Sequence, residues 1–266
     1  MKQRIISAIV VLGIFIPLLI LNNNLYKIGV VVIGLLGLKE IIEIREIKKK
    51  FPFLVKLISY MLMIFFICNN IGADRLNLYF DYKYISAALI PLLLPCIFYH
   101  DSDHYNVEDA FYLIGSVMFL GLAFNLLIVI RNYDITYIIY LFLITIITDT
   151  YAYISGKLSG RNKLAPNISP KKTIEGFIVG SVVGTFVSSS FYYIYIDDAI
   201  NLMLLISITL FLSIAGQLGD LVFSSIKRKY NKKDFSNIMP GHGGVLDRLD
   251  SIIFVIITFL FFISLI

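Results

Sequence analysis

Polar positions in this chain are not interleaved with apolar ones; they are bunched between long apolar blocks. Crossing about 30 Å of hydrocarbon takes ~20 helical residues. Blocks of about that length fall at 5–21, 25–44, 53–69, 84–99, 110–130, 134–156, 174–195, 199–223 and 251–266. The pattern predicts an all-α, polytopic integral membrane protein of about nine transmembrane helices. The first block follows Lys2 and Arg4, as a secretory leader would, but Leu21-Asn22-Asn23-Asn24 stands where a small-x-small cleavage site belongs. It is expected to stay as a helix.

Nine spans put the N-terminus and the segments 39–52, 100–109, 157–173 and 224–250 on one side. Most of the Lys and Arg residues fall there, whereas the opposite side holds Lys27, Arg75, Lys83 and Arg131. The basic side, with the N-terminus, is expected to be cytoplasmic. Segment 100–109 has no Lys or Arg, which weakens the placement of the spans around it. Its His100, Asp101, Asp103 and His104 are metal-ligand types, but a solvated loop is the better reading.

Composition removes the other classes. Of 266 residues, 58% are hydrophobic and 15% charged, more apolar surface than a water-soluble fold can hide. Aromatic content of 14%, 17 Gly, 7 Pro and two Cys exclude disordered, collagen-like and disulfide-stapled chains. Cys68 and Cys96 lie inside apolar runs and read as small core residues. The net charge of +5 is explained by membrane orientation, so no nucleic-acid partner is expected.

Chemistry gathers in two polar segments of the C-terminal half. The first begins with Asp149, an acid inside an apolar block, for which a functional role is the default and a structural salt bridge the alternative. It continues through Gly156 and Lys157 to Ser169-Pro170-Lys171-Lys172-Thr173. A Pro-stiffened turn, two amines and two hydroxyls at the mouth of the next helix suit a phosphate; simple obedience to the positive-inside rule weighs equally. Gly176, Gly180 and Gly184 recur every four residues and read as a helix-packing stripe.

The second segment is denser. On a helix, Asp220, Ser224 and Lys227 or Arg228 share a face, and Asp247 and Asp250 share another at the start of the last span. Carboxylates at two helix ends, basic residues between them and Gly241, Gly243 and Gly244 together suggest a divalent metal with phosphates. Hard cations take oxygen ligands and keep substrate phosphates in the shell, and glycines allow close backbone approach. His242 is read as shaping the glycine loop or holding a phosphate, because an ionised phosphate nucleophile needs no base.

From Ser224 to Asp250 the sequence resembles the integral-membrane phosphatidate cytidylyltransferases, also called CDP-diacylglycerol synthases. The pattern Ser-x-aliphatic-Lys-Arg, four residues, Lys-Asp, then Pro-x-His-Gly-Gly-x-x-Asp-Arg-x-Asp is matched at every spaced polar position, Lys233 and Asp234 included. Met239 stands where Leu, Ile or Phe is usual. The Asp149 to Gly156 and Ser169 to Gly176 runs are also similar to that family. The resemblance implies a cytoplasm-facing Mg2+ site with Asp220 and Asp247 as metal carboxylates, and leaves room for a second, monovalent cation such as K+. It implies CTP and phosphatidate as substrates, CDP-diacylglycerol and pyrophosphate as products, and a multi-pass plasma-membrane location that keeps acyl chains among the membrane lipids. Lys172, Lys227, Arg228, Lys233 and Arg248 would stabilise the leaving pyrophosphate, with Asp250 beside them. Asp149, Ser169, Thr173, Ser224, Asp234, His242, Gly243 and Gly244 would contact substrate.

The chain divides in this reading at 133/134. Residues 1–133 are assigned to a lipid groove or to homodimer contacts; residues 134–266 form the catalytic region, with cytoplasmic loops 157–173 and 224–250. A transporter would place polar groups near the bilayer midplane on broken helices, and here they collect at one face. The nearer rivals are an archaeal ether-lipid cytidylyltransferase and a polyprenol kinase.

Overall fold

The computed structural model of the chain describes residues 17, 19, 23–68, 82–99, 104–239 and 243–263. Most of the expected span 5–21, and His100, Asp101 and Asp103, lie outside them. The described residues form two compact units: 1–133 with 234–247, and 134–233 with 248–266.

The first unit contains α1 (Asn23–Glu46), α2 (Phe53–Cys68), α3 (Tyr82–Leu93), α4 (Pro95–Phe98) and α5 (Val107–Tyr133). The expected single span at 84–99 is broken: α3 contains Pro91, and Pro95 starts α4, where its missing N–H is harmless. Helix α5 packs against α1, α2 and α3. Its buried positions include Leu113, Val117, Leu120, Phe124 and Ile128.

Residues 104–109, the described part of segment 100–109, are not the solvated loop that its composition suggests. His104 is exposed, but Tyr105 and Asp109 are buried. Tyr105 donates to the Leu92 carbonyl at 2.7 Å, and burial pushes its phenol pKa up. Asp109 accepts from Arg45 and, at 3.1 Å, from Lys49 of the segment after α1. The segment needs no basic residue of its own because α1 and the turn after it supply the cations. The cysteine expectation also fails. Cys68 is exposed and Cys96 half-buried, because both sit on outward faces of apolar helices.

The second unit holds α6 (Ile135–Ser159), β1 (Lys163–Ala165), β2 (Ser169–Thr173), α7 (Ile174–Tyr195) and α8 (Leu202–Lys229). Most of α9 (Leu246–Phe262) also belongs to it, from Arg248 onward. Side-chain caps fix the helix starts. Asp134 accepts from the Thr136 N–H, Thr173 from the Gly176 N–H, and Asn201 from the N–H groups of Met203 and Leu204. The β1–β2 pair is antiparallel and departs from the purely helical expectation.

Helices α6 and α7 meet along the glycine stripe. A Cβ on Gly176 would stand 2.6 Å from the Ala152 carbonyl oxygen, and one on Gly180 would stand 2.7 Å from that of Thr148. The opposite face of α7 carries Ile178, Val182 and Phe186, all exposed. Small residues inside and large apolar residues outside invert the soluble pattern and suit packing in lipid. Beyond the stripe, Tyr140 and Thr209 share a 2.7 Å hydrogen bond, and Thr148 and Ser213 share one of 2.8 Å.

Among the described residues, four helices are long and apolar enough to cross a membrane: α5, α6, α7 and α8. Phe53–Cys68 and Ile85–Phe98 are apolar but shorter, and α1 carries charge through its last two turns. The chain is a predominantly helical membrane protein.

Candidate active site

In the second unit, α8 presents Asp220, Ser224 and Lys227 on one face, as their spacing predicts. Ser224 and Lys227 are buried and Asp220 half-buried. The Ser224 hydroxyl donates to Asp220 Oδ1 at 3.2 Å. Lys172 reaches across from β2, its Nζ 2.7 Å from Asp220 Oδ2, and also donates to the Gln217 carbonyl at 3.3 Å. Gln217 is held in turn, donating to Ser181 Oγ at 2.8 Å and to the Phe177 carbonyl at 3.1 Å. The β1–β2 hairpin therefore delivers one amine to one carboxylate.

Asp149 from α6 and Asp250 from α9 complete the cluster. The Ser251 hydroxyl hydrogen-bonds Asp149, which lies within electrostatic range of Lys172 and Asp220. Asp250 lies within range of Asp220, Asp149 and Lys227, and accepts from the Ser251 N–H at 2.8 Å. Three acids thus face two amines.

Other expected residues have different tasks or stand apart. Arg228 donates to the Ile168 carbonyl at 3.1 Å and to the Lys232 carbonyl at 2.6 Å, tying the hairpin to the end of α8. Thr173 is buried and caps α7 through the Gly176 N–H at 3.1 Å. Ser169 is half-buried on β2, and Lys233 and Arg248 are exposed.

The glycine loop belongs to the first unit. Met239 and Gly243 pair through two backbone hydrogen bonds, of 3.0 and 3.1 Å, and so bracket residues 240–242; His242 lies outside the described residues. Gly243 has φ of 84°, where a side chain would be strained. Asp247 Oδ2 accepts from the N–H groups of Phe235 and Gly244, both at 2.8 Å. Asp234 lies beside Gly243, where an added Cβ would stand 3.3 Å from its own Cβ.

One residue in this loop's surroundings escaped the sequence reading. Glu40 of α1 is fully buried and accepts from Ser236 Oγ at 2.6 Å, the Val245 N–H at 2.7 Å and the Leu246 N–H at 2.9 Å.

Among the described residues, no group of three or more His, Cys, Asp and Glu side chains already converges as metal ligands. The donor chemistry nevertheless fits a hard cation. Around Asp220 the side-chain donors are carboxylate and hydroxyl oxygens, and the Lys172 ammonium rests where positive charge is needed.

Apolar helices that carry a cluster of acids and amines define the class, a membrane protein with a charged site among its helices. The chain matches the cytidylyltransferase family over residues 2–266. It is also 36% identical over 256 residues to phosphatidate cytidylyltransferases of Staphylococcus aureus and Staphylococcus haemolyticus, covering 96% of both chains in each case. The enzyme of that name from Staphylococcus epidermidis is 35% identical over the same length. The chain belongs to the cytidylyltransferase family and is a nucleotidyltransferase; CTP and a divalent metal are consistent with that membership.

Proposed function

We propose that the protein is a phosphatidate cytidylyltransferase, converting CTP and phosphatidate into CDP-diacylglycerol and pyrophosphate. Near full-length similarity to enzymes of that name carries this reading, together with the polar pattern from Ser224 to Asp250. A phosphatidate oxygen attacks the α-phosphorus of CTP, forming the new P–O bond while the bond to the β-phosphate bridging oxygen breaks. Pyrophosphate leaves with that bond's electron pair. The nucleophile is already anionic, so no proton is removed in the transfer.

Asp220 and Asp247 are the proposed metal carboxylates, with Mg2+ as the ion and room for a monovalent cation such as K+. Bound there, the metal would supply charge neutralisation at the transferring phosphorus and the leaving group. Lys172, Lys227, Arg228, Lys233 and Arg248 are assigned to the phosphates, with Asp250 tuning the charge around Asp220. Asp149, Ser169, Thr173, Ser224, Asp234, His242, Gly243 and Gly244 are assigned to substrate. Nine spans in the plasma membrane, with the N-terminus and loops 157–173 and 224–250 cytoplasmic, would let acyl chains stay in the bilayer. Residues 134–266 would then carry the catalytic helices, and residues 1–133 would provide a lipid groove or homodimer contacts.

The test is incubation of purified protein with labelled CTP, Mg2+ and a panel of lipid phosphates. Label should enter a lipid only with phosphatidate, as CDP-diacylglycerol. Preferential labelling of an ether-linked lipid phosphate, or phosphorylation of a polyprenol, overturns the assignment.

A further inference from the structure

Glu40 lies in the charged last turns of α1 yet is fully buried, and its three hydrogen-bond partners are neutral. Burying a carboxylate against neutral donors is costly, so its surroundings show what it holds. Two of those donors, the N–H groups of Val245 and Leu246, open α9, where helical geometry leaves N–H groups without intrahelical acceptors. Glu40 thus caps a helix from about two hundred positions earlier in the chain. The negative charge also faces the positive end of that helix.

The same carboxylate shapes the glycine loop. A Cβ on Gly244 would come within 2.5 Å of Glu40 Oε1, so the backbone there lies directly on the acid. The Gly244 N–H donates to Asp247 Oδ2, and Asp247 is close enough to Glu40 for their charges to interact. Glu40 and Asp247 therefore grip one loop from two sides, despite mutual repulsion.

We propose that Glu40 is a positioning residue: by fixing Gly244 and the first N–H groups of α9, it sets the direction in which Asp247 presents its carboxylate to the metal. This rests on the assignment of Asp247 as a metal ligand. A helix cap alone would serve stability and leave metal affinity untouched; a positioning residue changes affinity in protein that is still folded.

The measurement is Mn2+ binding to detergent-purified full-length protein, read from the loss of the free-ion electron paramagnetic resonance signal, with circular dichroism confirming helicity. Mn2+ suits the same oxygen donors as Mg2+. Glu40→Gln should weaken binding about tenfold with helicity retained, and Asp247→Asn should weaken it further. If Asp247→Asn binds like the parent, the metal assignment fails and takes this proposal with it. If Asp247→Asn weakens binding and Glu40→Gln does not, the metal assignment stands and Glu40 is only a cap. Should Glu40→Gln not fold, Ser236→Ala removes one donor to the same carboxylate and should shift the affinity about threefold in the same direction; unchanged affinity there overturns the proposal.

Discussion

Asp220 and Asp247 are held by different means. Asp220 is gripped by side chains: the Lys172 ammonium at 2.7 Å and the Ser224 hydroxyl at 3.2 Å. Asp247 is gripped by the backbone, through the N–H groups of Phe235 and Gly244 at 2.8 Å. Side-chain partners swing away at the cost of a rotamer change, whereas the loop N–H groups are fixed by Gly243, Met239 and Glu40. Asp220 can exchange its partner; the direction of Asp247 is preset.

The largest expected effects follow from removing either charge. Asp220→Asn and Asp247→Asn should each lower turnover at saturating Mg2+ by at least a hundredfold, since losing a metal ligand costs several kcal/mol and every ~1.4 kcal/mol is tenfold. More than about a tenth of parental activity in either would end that residue's ligand role. Glutamate replacements sharpen the contrast. Lys172 and Ser224 can adjust to one extra methylene and the fixed N–H pair cannot, so Asp220→Glu should retain measurably more activity than Asp247→Glu. Equal losses would erase the distinction.

Next in size is a change that touches neither acid but disturbs the scaffold of the exchangeable one. Gly180→Leu places a side chain where a Cβ alone would be 2.7 Å from the Thr148 carbonyl oxygen. Overpacking typically costs ~1–3 kcal/mol, and more where backbone must move. The detergent melting midpoint should fall by several degrees, with Asp149 and the β1–β2 hairpin displaced, while Ile178→Ala on the exposed face of α7 shifts it little. Equal shifts would refute the stripe as a packing surface.

The polar face of α8 and the glycine stripe of α7 were legible in the sequence because each repeats at helical spacing within one element. The starts expected at 134, 174 and 199 fall close to those of α6, α7 and α8, which the structure shows capped by Asp134, Thr173 and Asn201. Long-range pairing was not legible. Glu40 stands among Lys39, Glu43 and Arg45, where any acid reads as a solvated charge, and its partners lie near position 240. Asp109 hid in the same way, because its cations come from α1 and the turn that follows it. The β1–β2 hairpin shows no alternation of apolar and polar residues, and forms where a short connection must return from α6 to α7.

A smaller effect separates the two roles of Lys172, as the partner of Asp220 and as a phosphate contact. Lys172→Met removes the ammonium that competes with a metal for Asp220. Mn2+ binding without CTP should tighten a few-fold, because attraction between Asp220 and the ion is no longer opposed. Turnover should nonetheless fall about tenfold as the leaving pyrophosphate loses a cation. Weaker Mn2+ binding in the variant would mean that Lys172 organises Asp220 rather than standing in for the ion, and the picture of an exchangeable partner would fail.

The smallest effect is expected at His242, in the glycine loop whose Gly244 N–H holds Asp247. If phosphatidate attacks as an anion, the histidine shapes the loop or holds a phosphate, and His242→Gln should slow turnover only a few-fold through a lost hydrogen bond. The pH profile tests this independently of the size of the loss. A phosphate monoester has its second ionisation near ~6, so activity should fall as pH drops through that range whether or not the histidine is present. A required histidine base would add its own limb near ~6.5, and replacing it would remove that limb. The acidic limb should therefore persist in His242→Gln at an unchanged midpoint. If it disappears while the lipid's ionisation, followed by phosphorus resonance in the same micelles, stays where it was, His242 is the base and the anionic-nucleophile mechanism is wrong.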